Sequence, residues 1–239
     1  MAPEPLRISG LLFDLDGTLI ATRRLYLEAF ADALEPVVGH RPSHDEMMAL
    51  RPRAEVRFLR QVTQTAVGNG PHVEAAAEGV LERFFAAYQR RHEKDFEGVY
   101  HDVPQMLSHA RSTGLPLGLV TGKSRRSWGI TSAFVELGPF DPMVFDDDVP
   151  RSKPDPTGLR LALEALGTPA RETLYVGDST TDLEAAAHAG VIPVGVLWSK
   201  RSHEREPFAE AAREWGGEVL ERPGDLAGFL ASAAPPRER

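Results

Sequence analysis

In the C-terminal part of the chain, short apolar runs alternate with longer segments whose apolar residues have helical spacing. The runs at 115–120, 142–145, 173–176 and 191–197 are continuous in hydrophobicity, which is typical of parallel strands buried on both faces. One more such run, at 8–15, comes first. Strands separated by helices form a parallel sheet with crossover helices. The sequence therefore predicts an α/β fold with a doubly wound (Rossmann-like) parallel sheet.

The stretch after the first apolar run has a different pattern, with helical spacing and no convincing strand. The predicted helices lie at 25–38, 43–50, 54–66 and 73–94. Because these helices interrupt a sheet-forming sequence, we expect an inserted helical domain at 19–96. The flanking parts, 1–18 and 97–239, are expected to form the α/β core.

Composition excludes several classes of partner and site. The chain has 27 basic and 35 acidic residues and a net charge of −8, which argues against a nucleic-acid or membrane-surface partner. It has no cysteine, so disulfides, thiolate metal sites and cysteine nucleophiles are excluded. Its longest apolar stretch, Val191–Trp198, is too short to span a membrane, and the start has no signal-peptide pattern. We expect a cytoplasmic protein.

Two acidic residues, Asp14 and Asp16, end the first apolar run in the segment FDLDGTL. Alternate side chains of a strand share a face, so both carboxylates point the same way. Gly17 allows a sharp turn directly after them, and ligands of open α/β sheets bind beyond the carboxyl ends of the strands. Because two like charges on one face repel each other, the pair indicates a site for a cation.

A third strand-end aspartate, Asp178, lies in the segment LYVGDSTTD. Asp182 in the same segment has an alternative explanation, since Ser179 followed three residues later by an acid is a helix-start signature. That signature does not explain Asp178. The carboxylates of Asp14, Asp16 and Asp178, in a chain without cysteine, indicate a site with oxygen ligands, which Mg²⁺ fits best.

Two further segments offer groups that could bind an anion. Thr121 ends the apolar run in LVTGKS, and the backbone amides of Gly122 and Lys123 follow at a helix start, where amides can donate to phosphate. The Lys123 side chain itself is expected to be solvated. Lys153, in RSKPDP, precedes a proline that holds its backbone extended or in a turn. An isolated lysine is usually solvated, but the chain has only four lysines, so a lysine between two turn segments is a candidate.

These four segments, in this order, resemble the motifs of the haloacid dehalogenase superfamily of phosphohydrolases. FDLDGT is similar to the first motif, the strand-end Thr121 to the second, Lys153 in SKPDP to the third, and GDSTTD to the fourth. The resemblance covers about 8–22 and 96–200. The helical insert after the first motif is similar to the α-helical cap domain of phosphoglycolate phosphatase-like and beta-phosphoglucomutase-like members.

The resemblance implies a role for each acidic residue. Asp14 would be the nucleophile that forms an aspartyl-phosphate, and Asp16 would be the general acid and base. The Asp14 carboxylate, the Asp16 backbone carbonyl and Asp178 would bind Mg²⁺. Asp182 would orient Lys153 or a metal-bound water. Dehalogenases of the family lack the second aspartate of the first motif, so Asp16 argues against dehalogenation.

The resemblance also implies how the phosphoryl group is held. Thr121 and Lys153 would bind its oxygens, together with the amide of Gly122. Lys153 and Mg²⁺ would neutralise the repulsion between an anionic carboxylate and an anionic phosphate.

Four arginines near the hinge or loops of the insert could set substrate specificity: Arg23, Arg24, Arg51 and Arg53. They either solvate helix ends or hold a second anionic group of the substrate, because arginine binds carboxylate and phosphate through two parallel hydrogen bonds.

The sequence therefore predicts a Mg²⁺-dependent, phosphoglycolate phosphatase-like enzyme that hydrolyses a small phosphorylated metabolite. Two alternatives stay open. A phosphomutase of the beta-phosphoglucomutase type would return the phosphoryl group to a sugar, and a non-enzymatic receiver-like or phosphate-sensing protein would use strand-end aspartates without turnover. The chain is expected to act as a monomer or homodimer.

Overall fold

The computed structural model describes residues 6–49 and 54–233. The chain forms two compact units. The first combines Met1–Ile20, Val99–Thr121 and Leu137–Arg239, and the second combines Ala21–Gly98 with Gly122–Glu136. Across the described ranges, no helix has the length and apolar character needed to cross a membrane.

The first unit is built on a six-stranded sheet in the order β3-β2-β1-β4-β5-β6, in which every neighbouring pair is parallel. The strands are β1 (Gly10–Phe13), β2 (Leu117–Val120), β3 (Met143–Val144), β4 (Thr173–Gly177), β5 (Ile192–Val196) and β6 (Glu218–Leu220). The predicted α/β fold with a doubly wound parallel sheet is confirmed. Strand β6 was not predicted from the sequence, because this short edge strand begins with an exposed glutamate and has no continuous apolar run.

Helices separate and cover the strands. Those in the described residues are α1 (Arg23–Val38), α2 (His44–Ala49), α3 (Glu55–Val67), α4 (His72–Asp95), α5 (Val103–Ser112), α6 (Arg125–Thr131), α7 (Thr157–Leu166), α8 (Thr180–Ala189), α9 (Ser202–Glu214) and α10 (Asp225–Ser232). In the first unit, α7 and α8 bury apolar side chains against Leu12, Val120 and Tyr175 of the sheet. Helix α9 packs on β5 and β6, and α5 packs on α10. Burial of continuous apolar strands under these helices stabilises the sheet.

The second unit is helical, as predicted for the insert. Helices α1, α3 and α4 pack together around a cluster of aromatic rings formed by Tyr26, Phe30, Phe58, Phe84 and Tyr88. Such ring pairs add to the stabilisation that comes from burying apolar area. Helix α6 also belongs to this unit, although it follows β2 in the chain. The boundaries of the insert at 19 and 96 stay a prediction.

Candidate active site

Three neighbouring strands of the sheet, β2, β1 and β4, end side by side at one edge. The residue that follows each of them is Thr121, Asp14 or Asp178. The amide of Asp14 donates to the carbonyl of Val176 at 2.8 Å, and the amide of Thr121 donates to that of Val144 at 3.0 Å. Backbone pairing therefore continues one residue beyond β1 and β2. This pairing fixes the backbone positions of Asp14 and Thr121.

Lys153 brings the separate segments together. Its ammonium donates to Asp14 Oδ1 at 2.8 Å and to Asp182 Oδ1 at 2.6 Å. The Lys153 side chain is 13% exposed and the two carboxylates 7% and 2%, so this double ion pair is largely shielded from water. Charge-assisted hydrogen bonds are stronger than neutral ones, and shielding from water strengthens them further. The structure thus joins Asp14 to a lysine 139 positions away in the chain.

The buried carboxylates and Lys153 shift one another's pKa values. Burial raises the pKa of Asp14 well above its ordinary value, against the lowering effect of Lys153, and the negative charges of Asp182 and Asp178 raise it further. Burial alone would lower the pKa of Lys153, but Asp14 and Asp182 raise it well above its usual range. Burial would likewise raise the pKa of Asp182, yet the charge and hydrogen bond of Lys153 lower it. A second cation would stabilise ionised Asp14.

Three carboxylates lie close together beside Lys153. Asp14, Asp178 and Asp182 each offer one oxygen atom, and these atoms all lie within 4.8 Å of one another. Carboxylate oxygens are the ligands that Mg²⁺ prefers, so the donor set fits this ion. Asp16 is half-buried, and its side chain is not part of this group.

The turn after β1 requires a glycine for two reasons. Gly17 has φ of 81°, which side chains rarely tolerate, and a Cβ atom there would lie 2.5 Å from Asp178 Oδ2. The absence of a side chain at Gly17 thus lets the first motif approach the Asp178 carboxylate closely.

Asp182 contacts both the helix start and Lys153. Its Oδ2 accepts hydrogen bonds from the amide of Ser179 at 2.9 Å and from the Ser179 hydroxyl at 2.6 Å, which completes the capping box of α8. Its other oxygen holds Lys153. The same carboxylate therefore closes the first turn of a helix and positions the lysine.

Tyr175 is a site residue that the sequence analysis missed. Its buried hydroxyl accepts a hydrogen bond from Lys153 at 2.8 Å and donates to the carbonyl of Val120 at 2.7 Å. A tyrosine within an apolar strand is usually a core residue, so its sequence position carries no signal for this contact.

Lys200 was also missed. Its ammonium lies 2.9 Å from Asp178 Oδ2, and the two side chains are 12% and 22% exposed. Lys200 comes after β5, so the segment that follows a fourth strand places a charged group beside Asp178.

The prediction for the Lys123 side chain was wrong. It was expected to be solvated, but it is only 1% exposed and lies within the second unit. Its ammonium donates to the hydroxyls of Tyr26 and Tyr88, at 2.6 Å for Tyr88, and lies 4.4 and 4.9 Å from the centroids of their rings. Cation–π contacts and hydroxyl acceptors together compensate for its burial. The Tyr26 hydroxyl in turn donates to Glu55 at 2.6 Å, so a buried carboxylate completes this polar network.

The four candidate arginines have different outcomes. Arg24 forms an ion pair with Glu97 at 3.2 Å and is 61% exposed. Arg23 is half-buried at the start of α1. Arg51 and Arg53 lie outside the described residues. A role of these arginines in substrate recognition stays a prediction.

Comparisons with known proteins identify the family of the chain. The model of the family "Haloacid dehalogenase-like hydrolase" matches residues 11–196. The chain is 32% identical over 219 residues to phosphoglycolate phosphatase of Pseudomonas syringae pv. tomato, covering 84% of this chain and 72% of that protein. It is 30% identical over 237 residues to pyrophosphatase PpaX of Anoxybacillus flavithermus, covering 94% and 98%. A structure from Thermotoga maritima, provisionally named beta-phosphoglucomutase, superposes with a TM-score of 0.68 at 25% identity, covering 94% and 99%.

The family match spans all the motifs on which the predicted resemblance depends, from Asp14 through Thr121 and Lys153 to Asp182. Relatives that share the sequence over most of its length are named as enzymes that cleave phosphoryl bonds. These findings argue against the receiver-like, non-enzymatic alternative. The chain belongs to the haloacid dehalogenase-like hydrolases, and it is a phosphatase of that family.

Proposed function

We propose that the chain is a Mg²⁺-dependent phosphatase that hydrolyses a small phosphorylated metabolite through an aspartyl-phosphate on Asp14. The observation that carries this proposal is the buried ammonium of Lys153, which lies 2.8 Å from Asp14 Oδ1 at the end of β1. A lysine so close to the carboxylate can also neutralise a phosphoryl group that approaches it.

The chemistry has two displacements. An oxygen of Asp14 attacks phosphorus, the ester bond breaks, and Asp16 gives a proton to the leaving oxygen. Asp16 then takes a proton from water, whose oxygen attacks phosphorus, so that phosphate leaves and the Asp14 carboxylate is restored. Thr121, Lys153 and the amide of Gly122 are proposed to hold the phosphoryl oxygens during both steps.

Mg²⁺ is proposed to bind to the Asp14 carboxylate, the backbone carbonyl of Asp16 and Asp178. Both oxygens of Asp182 already accept hydrogen bonds, from Lys153 and from Ser179, so Asp182 is better suited to positioning than to coordination. When bound, the ion supplies positive charge that offsets the repulsion between nucleophile and phosphate. The short distance between the carboxylate oxygens of Asp14 and Asp178, within 4.8 Å, supports these two ligands.

The relatives' names support a proposal for the substrate class. Phosphoglycolate phosphatase and pyrophosphatase act on small phosphorylated anions, and we propose a substrate of this size class for the chain. The similarity to the Thermotoga maritima structure keeps a phosphomutase as the second candidate.

A panel of phosphate esters tests the proposal and separates the two candidates. With MgCl₂ present, purified protein is expected to release phosphate from p-nitrophenyl phosphate and from at least one of phosphoglycolate, pyrophosphate and hexose phosphates. Excess EDTA should abolish release, because the ion offsets negative charge at the site, and added Mg²⁺ should restore it.

The mutase is tested by incubating a hexose 1-phosphate with a bisphosphate activator. Isomer without free phosphate would favour the mutase. Phosphate release that is insensitive to EDTA would contradict the proposed metal dependence.

A further inference from the structure

We propose that Lys200 lowers the affinity of the site for Mg²⁺ by sharing the Asp178 carboxylate with the metal. This inference rests on the proposed function, because it takes Asp178 as a Mg²⁺ ligand. Its basis is the ion pair between Lys200 Nζ and Asp178 Oδ2 at 2.9 Å, between side chains that are both mostly buried.

The fold holds Lys200 in this position from two sides. Its amide donates to the carbonyl of Leu197 at 3.1 Å, which closes a turn directly after β5. Its ammonium lies 4.7 Å from the centroid of the Phe208 ring on α9. Because β5 is the sheet neighbour of β4, the turn after β5 begins beside the strand end that carries Asp178. The contact therefore depends on the arrangement of the sheet as well as on a flexible side chain.

The two lysines at this edge of the sheet form ion pairs with different carboxylates. Lys153 contacts Asp14 and Asp182, whereas Lys200 contacts Asp178. Lys200 lies just after 11–196, the region that matches the family model.

A lysine and a divalent cation that use one carboxylate repel each other. Removing one positive charge that lies several ångströms from a divalent ion stabilises the bound ion by about 1.4 kcal/mol even in a water-like dielectric, and this corresponds to about tenfold in affinity. Ser199 Oγ lies 3.4 Å from Asp178 Oδ2, so Asp178 keeps a neutral polar neighbour when Lys200 is replaced.

The test is a calorimetric titration of the whole protein with MgCl₂, without substrate. Lys200→Met keeps the apolar contact with Phe208 and removes the charge, and Lys200→Gln is a second neutral variant in case the first folds poorly. Lys200→Arg keeps the charge, and Lys94→Met, at an exposed lysine of the second unit, is the matched control. Thermal unfolding without Mg²⁺ identifies any variant that is not folded.

Both neutral Lys200 variants are expected to bind Mg²⁺ about tenfold more tightly than wild type, while the arginine and Lys94 variants bind as wild type does. Affinity in the folded neutral variants that equals or falls below that of wild type would overturn the inference. The proposed function would still stand in that case if wild type bound Mg²⁺ and hydrolysed esters with it. If wild type binds no Mg²⁺, or Asp178→Asn leaves its binding unchanged, the metal site itself is wrong and both proposals fail.

Discussion

Replacing Lys153 by methionine is expected to reduce phosphate release by about a hundredfold or more and also to destabilise the protein. The reason is that Asp14 and Asp182, which are both buried, pair with this ammonium. Removing one partner of a buried ion pair leaves uncompensated charge, at a cost of about 3–5 kcal/mol. Loss of a preorganised group that stabilises transition-state charge reduces turnover by about 10²–10³-fold.

Two measurements separate these effects. The free energy of unfolding comes from urea denaturation, and turnover comes from phosphate release at saturating Mg²⁺ and substrate, under conditions in which the variant is folded. Lys94→Met, at an exposed lysine near the end of α4, is the control and should change neither quantity. A folded Lys153→Met protein with wild-type turnover would show that this lysine does not act on the phosphoryl group.

Replacing Asp14 by asparagine is expected to abolish phosphate release while the protein stays folded. Asparagine has nearly the same shape, and its carbonyl oxygen can still accept the hydrogen bond from Lys153. An amide oxygen is a poor nucleophile, however, so no covalent intermediate forms. Loss of a nucleophile in other hydrolases costs up to about 10⁶-fold in turnover, and we expect a loss of about 10³-fold or more here.

The matched control for this variant is Asp45→Asn, an exposed aspartate on α2. It should keep wild-type turnover and stability. Circular dichroism and urea denaturation verify the fold of both variants. If Asp14→Asn retained wild-type turnover, the assignment of the nucleophile would be wrong.

The sheet and the strand-end aspartates could be predicted because their signals are local. A continuous apolar run indicates a buried strand. An aspartate directly after the run lies at the carboxyl end of that strand, and this position does not depend on the tertiary fold. Asp14 and Asp178 could therefore be placed at the same edge before the strand order was known. The capping box at the start of α8 could also be predicted, because its partners, Ser179 and Asp182, are three residues apart.

The contacts that the sequence analysis missed are long-range. Lys123 contacts Tyr88 across 35 positions, and an aromatic residue on one helix stripe gives no sign that its hydroxyl accepts from a lysine. Lys200 and Asp178 are 22 positions apart and meet only because β4 and β5 are neighbours. A lysine next to a turn is solvated in most proteins, so the expectation for Lys123 failed where tertiary packing overrode the general tendency. Local pattern cannot supply this information.

The proposed mechanism requires a phosphoryl group that is transiently bonded to Asp14. We would mix enzyme, Mg²⁺ and a substrate labelled with ³²P in the phosphoryl group, quench with acid within milliseconds, and reduce the protein with borohydride, which converts an acyl phosphate into an alcohol. We predict protein-bound label before reduction, and after it a homoserine in place of Asp14 in the peptide mass spectrum, with neither in Asp14→Asn. Label on a different residue, or steady turnover in which no protein-bound phosphate forms, would contradict the mechanism.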